Sequence, residues 1–211
     1  MGTMRLLLFL IPTALLLAQT PALKKTAATT PTQAKNFKET GSPTAPVTME
    51  IYSDYECPHC RAFFLEVMPT FMAEFVNTNR VRVVHRDFPM AVHKFAKLAA
   101  RYVNAAGHIG KYDVVGEQVF RTQPEWAQNG NIDATVAKVL SPTEMETVRN
   151  LVKDDPTLDD TMKQDIAMGT ATDHLIGTPT LVIVSRGKRD VIAGGVPYPV
   201  LRSYIISKLG N

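Results

Sequence analysis

Cysteine is almost absent from this chain: 211 residues contain two, Cys57 and Cys60, with two positions between them. So sparse a supply excludes a scaffold stapled by several bridges, and a bridge closing so short a loop removes little chain entropy, which makes stability a poor reason for it. An excess of one charge is missing as well. The positive excess behind the formal +3 sits in the first 45 residues, which are +4 through Arg5, Lys24, Lys25, Lys35 and Lys38 against Glu39. Residues 46–211 hold 18 basic and 19 acidic side chains, so the body has no electrostatic footprint for nucleic acid and no such partner is expected. Nor is there a membrane-spanning apolar run. The longest, Leu6–Leu17, includes Pro12 and falls short of the roughly 20 residues a spanning helix needs.

That run has another meaning. It follows a short segment carrying only Arg5 and precedes the small residues Ala18, Thr20 and Ala22, the layout of a secretory signal over residues 1–22. An uncleaved N-terminal anchor is the alternative. The protein is therefore expected outside the cytoplasm, periplasmic or otherwise extracytoplasmic, with a membrane tether through the N-terminus under the alternative. Residues 23–45, rich in Thr, Ala, Pro and Lys without apolar periodicity, read as a flexible linker. With 45% hydrophobic and 20% charged residues overall, the remainder has an ordinary globular balance, enough for one domain over 46–211.

Both cysteines lie in Asp54-Tyr55-Glu56-Cys57-Pro58-His59-Cys60. Val47–Tyr52 before it alternates like a strand, and after it apolar residues recur at 60, 63, 64, 67, 68, 71, 72 and 75, the spacing of an amphipathic helix. Pro58 falls where a first helical turn tolerates its missing N–H. Cys57 is thus expected at a helix N-terminus, where free N–H groups and the helix dipole favour a thiolate. A protonated His59 would add positive charge, whereas Asp54 and Glu56 would oppose if they faced the sulfur. The expectation is a Cys57 pKa in the ~3.5–7.5 range of such sites, with Cys60 buried as the resolving thiol. Metal binding is the competing chemistry. A structural zinc needs four ligands, and His85, His93, His108 and His174 show no paired spacing, so no metal and no cofactor is expected.

The motif resembles the active-site segment of DsbA-like thiol–disulfide oxidoreductases, which have a thioredoxin fold. Arg86-Asp87-Phe88-Pro89, with His93 and the Ala-rich stretch to Ala106, is similar to the lead-in to that family's helical insertion. Gly177-Thr178-Pro179-Thr180-Leu181 resembles the loop carrying its cis-proline. The resemblance implies an α/β thioredoxin fold with a large helical insertion between the two halves of the core: 46–88 and 175–211 as core, 89–174 as cap. It also implies that Cys57, Pro58, His59 and Cys60 form the catalytic centre and that Thr178 and Pro179 line the substrate edge. The function implied is introduction of disulfides into folding, reduced secreted proteins, with reoxidation by a membrane quinone-linked thiol oxidase. Thr178 resembles the isomerase relatives where DsbA itself carries valine. Reductase or isomerase activity, or a non-catalytic client- or metal-binding role, are the alternatives. A monomer is expected, since only the linker precedes residue 46.

The remaining pattern predicts strands over Arg80–His85, Thr180–Val184 and Asp190–Ala193, the last two joined as a hairpin. Helices are expected over Val92–Ala106, from a capping box at Ser141-Pro142-Thr143-Glu144, from Pro156 toward His174, and over Pro199–Leu209. That last helix should bury Val200, Leu201, Tyr204, Ile205 and Leu209. Pro69 should kink the helix after the motif. Phe120 and Trp126 are expected in the core of the cap, and His93 as a surface or cap-edge residue.

Overall fold

A computed structural model describes residues 1–2 and 36–210; the signal segment and most of the linker lie outside the described residues. Among the described residues no helix is long and apolar enough to cross a membrane.

The centre is a mixed sheet of β1 (Glu39–Thr40), β2 (Val47–Ser53), β3 (Val81–Asp87), β4 (Thr180–Ser185) and β5 (Lys188–Ala193), in the order β1-β3-β2-β4-β5. β2 and β3 are parallel, Val47 opposite Val81 and Ser53 opposite Asp87, while every other pairing is antiparallel. A parallel pair needs a crossover, and here it is the helical run 58–76. That run opens as α1 (Pro58–Ala62), widens into a π-helical turn at Phe63–Val67, passes through α2 (Met68–Phe71) and widens again at Met72–Val76. Pro69 has no N–H for the Leu65 carbonyl and falls in the first turn of α2, so its effect is absorbed by the wide turns on either side. The β4–β5 turn has Arg186 at φ 51° and Gly187 at φ 73°, the two left-handed positions that match the strands' twist.

Alternation along the strands divides the core. Val47, Met49 and Ile51 of β2 meet Val81, Val83, Leu181 and Ile183 on one face, beneath Phe63, Phe71 and Phe75 of the helical run and Leu201 and Ile205 of the C-terminal helix α9 (Tyr198–Leu209). Val200 is exposed rather than packed, because the turn that starts at Pro197 rotates it away from Leu201 and Ile205. The other face carries Tyr52, Phe88, Leu175 and Val182.

Between β3 and β4 the chain forms α3 (Ala96–His108), α4 (Tyr112–Arg121), α5 (Gln123–Trp126), α6 (Ile132–Val136), α7 (Pro142–Asp154) and α8 (Thr157–Ala171). Their shared core includes Val103, Val115, Phe120, Trp126 and Met162, and it reaches Tyr55, Cys57 and Cys60. Ser141 and Glu144 form the reciprocal cap that their spacing predicts. α3 begins at Ala96, four residues later than the pattern suggests, because 90–95 is held by the turn before the cysteines.

The linker expectation needs correcting at its C-terminal end. Residues 36–45 belong to the body: β1 pairs with β3, and the Phe37 ring packs against His108 and Tyr112. Gly107 makes room for it, since a Cβ there would collide with that ring. Lys38 is 3% exposed, its Nζ lying 2.5 Å from Asp87 Oδ2 and 2.8 Å from Asp165 Oδ2. Arg86 links Asp165 to Glu50 at 3.1 and 3.0 Å, and Arg189 links Glu50 to Asp173, each at 2.7 Å. A window of polar composition misses this because the ordering comes from partners dozens of residues away. Replacing Lys38 with Ala should leave buried Asp87 without a cation and Asp165 with Arg86 alone, and lower unfolding stability by about 3–5 kcal/mol. Urea denaturation is the check, and a loss below about 0.5 kcal/mol, the size of a neutral surface change, would contradict it.

Candidate active site

The site forms where β2 ends. Ser53 is its last residue, Asp54 to Glu56 turn the chain, and Cys57 caps α1 with extended backbone (φ −73°, ψ 121°) ahead of Pro58. The Cys57 N–H donates to Asp54 O at 3.1 Å and Arg61 N–H donates to Cys57 O at 3.1 Å, which closes the first turn. Both cysteines are free thiols, Cys57 5% and Cys60 1% exposed. Pro58 and His59 are exposed.

The two thiols are pushed in opposite directions. Cys57 is lowered to about 5, first by a hydrogen bond from the Cys60 thiol, against burial, and then by the Cys60 backbone N–H, Thr178 and the His59 backbone N–H. Cys60 is pushed well above the ordinary thiol value, by burial first and then by its hydrogen bond to Cys57 and that neighbour's charge. The direction for Cys57 agrees with the helix N-terminus argument, but the contribution of His59 comes through its backbone. Its ring lines a shallow surface groove with Phe63, Glu66, Val196 and Pro197.

Thr178 and Pro179 reach the motif from the other half of the fold. The Thr178–Pro179 peptide is cis, and the Cys57 thiol donates to Thr178 O at 3.4 Å. The Thr178 hydroxyl is buried without a hydrogen-bond partner. Pro179 O accepts the Gly194 N–H at 2.8 Å, which ties the strand end at Gly194-Gly195 to the proline loop.

Both acids are engaged by groups other than the sulfur. Asp54 is 1% exposed: Oδ1 accepts the Glu56 N–H at 2.7 Å, and Oδ2 accepts the Met90 N–H at 2.7 Å and lies 2.7 Å from His93 Nδ1. Glu56 Oε2 accepts the Phe95 N–H at 2.6 Å. His93, expected at the surface or the cap edge, lies half-buried just before α3 and is drawn into the site by Asp54. Gln123 was given no role by the sequence pattern, yet its buried amide donates to Tyr55 O at 2.7 Å and Cys57 O at 3.0 Å. A buried glutamine after a helix end leaves no periodic signature; for His93, an imidazole between Pro89 and an Ala-rich helix is the only sequence signal. Phe120 and Trp126 are core of the cap, as expected, Phe120 lying against Tyr55 and Phe64. Among the described residues no three His, Cys, Asp or Glu side chains gather as a metal site.

Residues 34–189 match a family model described as Thioredoxin. The fold is similar to that of Wolbachia pipientis alpha-DsbA1, 18% identical with a TM-score of 0.70 over 82% of this chain and 90% of that one. It is also similar to oxidised BdbD from Bacillus subtilis, 23% identical with a TM-score of 0.67 over 82% and 93%. Pseudomonas aeruginosa DsbA2 is 24% identical, with a TM-score of 0.63 over 82% and 93%. Among curated proteins, the Na(+)/H(+) antiporter NhaA 3 of Salinispora tropica is 36% identical over 69 residues, 32% of this chain and 10% of that protein. NhaA 1 of Salinispora arenicola is 35% identical over 69 residues. The matched stretch spans a tenth of these antiporters' length.

The opposed thiols set a pH dependence. Alkylation of the reduced protein should modify Cys57 alone at neutral pH, with a rate that falls as pH drops through about 5. Because the folded value lies below that of an unfolded thiol, about 8.5, ionisation of Cys57 stabilises the reduced fold above pH ~8.5, and this contribution is lost as pH falls through about 5. Cys60→Ala removes the thiol that donates to the Cys57 sulfur and should move the alkylation midpoint upward. An unshifted midpoint would mean that the helix N-terminus suffices without Cys60.

Proposed function

The chain belongs to the thioredoxin family, and from that premise we propose that it is an exported thiol–disulfide oxidoreductase that introduces disulfides into other proteins. The observation carrying this reading is the placement of two buried thiols at the start of α1, Cys57 at its N-cap against Thr178 O and Cys60 deeper in the core, with their pKa values pushed in opposite directions. A low-pKa sulfur is a good leaving group, and stabilising it stabilises the reduced protein, which makes the disulfide form an oxidant.

The reaction runs in two exchanges. A client thiolate attacks Cys57 Sγ, the Cys57–Cys60 bond breaks, and Cys60 leaves and takes up a proton. A second client thiolate then attacks the client sulfur of the mixed disulfide, and Cys57 leaves as a thiolate. The client has lost two electrons and the protein has gained them. The backbone edge at Thr178-Pro179 is the place for an extended client segment beside Cys57. Clients are reduced secreted proteins, and a membrane quinone-linked thiol oxidase restores the disulfide to a monomeric enzyme. Residues 1–22 direct export.

Thr178, the residue type of the isomerase relatives, favours a second reading as a reductase or isomerase. Equilibration with glutathione separates the two. A potential near −120 mV, about that of the strongest dithiol oxidants, is expected, and one near about −270 mV would assign the reducing direction.

A further inference from the structure

The thiol chemistry above leaves one ionisable pair at the site unused. Asp54 bonds to both cysteines through its backbone, its O accepting the Cys57 N–H at 3.1 Å and its N–H donating to Cys60 Sγ at 3.5 Å. Its buried carboxylate holds Nδ1 of His93 at 2.7 Å, and the His93 side chain is 23% exposed. The imidazole is thus fixed by the residue that fixes the two sulfurs, with an edge open to solvent for proton exchange. We infer that His93, seated on Asp54, is the counter-charge of the site: its protonated ring stabilises the Cys57 thiolate of the reduced protein, and reduction loads a proton onto that ring. This inference rests on the redox reading of Cys57 and Cys60.

Burial disfavours the charged ring, but the Asp54 hydrogen bond and the charges of Asp54, Cys57 and Glu56 outweigh it and raise the His93 pKa. Coupling between two protonation sites is reciprocal. If the Cys57 thiolate favours His93 protonation, protonated His93 favours the thiolate equally. The other charges near the ring are paired with one another: Lys97 with Asp159 at 2.8 Å and Lys163 with Asp160 at 3.0 Å, across the pocket that His93 shares with α8. Lys94, the next residue, lies over the Phe95 ring. What changes at His93 when the disulfide forms is therefore the charge on Cys57. Reduction by two glutathione molecules gives glutathione disulfide, a Cys57 thiolate, a Cys60 thiol and one released proton; a partly deprotonated His93 takes up a share of that proton.

The test is the glutathione equilibrium of the whole protein as a function of pH, together with ultraviolet titration of the thiolate. Once the glutathione couple's own pH dependence is taken out, uptake of one proton per two electrons lowers the protein's reduction potential by about 30 mV per pH unit, and the slope of this potential is the readout. The unaltered protein should exceed that slope in a window where His93 titrates, while His93→Gln should keep the one-proton slope throughout. The same substitution should raise the Cys57 midpoint and shift the glutathione equilibrium toward the disulfide form by about fivefold or more. His93→Lys, with a fixed charge, should restore the midpoint but not the steeper slope. A one-proton slope in the unaltered protein, or a Cys57 midpoint unmoved by His93→Gln, overturns the inference. A potential near about −270 mV with the extra proton still present would instead overturn the oxidising direction and leave the role of His93 standing.

Discussion

A sulfur that carries negative charge while it is 5% exposed has to be solvated by the protein instead of by water. Much of the site follows from that need. The N–H groups at the start of α1 face Cys57 because Pro58 sets the first helical turn and has no N–H of its own to place. The Cys60 thiol supplies the strongest donor, and it can do so because burial keeps its proton in place. The two shifts are one arrangement seen from its two ends: the deeper sulfur holds the proton that the shallower one has lost. Cys60 is fixed in turn by the apolar core it shares with the cap.

The same problem is solved differently below the sheet. Lys38, Arg86 and Arg189 alternate with Asp87, Asp165, Glu50 and Asp173 in a connected series of ion pairs. Tyr52 and Asn104 add hydrogen bonds to Asp173 and Asp87. A buried pair of this kind adds little net stability over an apolar replacement but is costly to break. Its structural effect is to make residue 38, strands β2, β3 and β5, and α8 mutually dependent.

The sequence was most legible where local physics decides. The strand–Cys–helix junction, the Ser141 capping box and the β4–β5 hairpin all rest on periodicity, short-range caps or turn chemistry. It was least legible where a residue's environment is assembled from distant segments. Phe37 and Lys38 sit in a stretch whose composition reads as linker, yet their partners are His108, Tyr112, Asp87 and Asp165. His59 drew attention because it lies inside the motif, but a side chain two residues past Cys57 at a helix start turns toward the groove at Val196 and Pro197. His93, 36 residues downstream, is the imidazole that the pre-cysteine turn holds. Gln123 belongs to the same class, because only the tertiary fold brings it to the Cys57 carbonyl.

Strand β3 joins these two regions. Its last residues, Arg86 and Asp87, enter the buried ion pairs, and the chain then leaves the sheet at Phe88, whose N–H donates to Ser53 O at 2.8 Å. Pro89 cannot extend the ladder, and the following loop is fastened to the turn before the cysteines: Met90 N–H and His93 Nδ1 to Asp54, Phe95 N–H to Glu56. Parallel pairing of β2 with β3 sets both ends at the same level of the sheet, Ser53 opposite Asp87. The short Arg86–Phe95 segment therefore carries the anchoring charges at one end and the imidazole at the other. The acidic residues of the motif read as a liability for a thiolate when they are considered alone. Their carboxylates instead receive the N–H groups of this segment, and they fix a cation-forming ring at the turn where the thiolate forms.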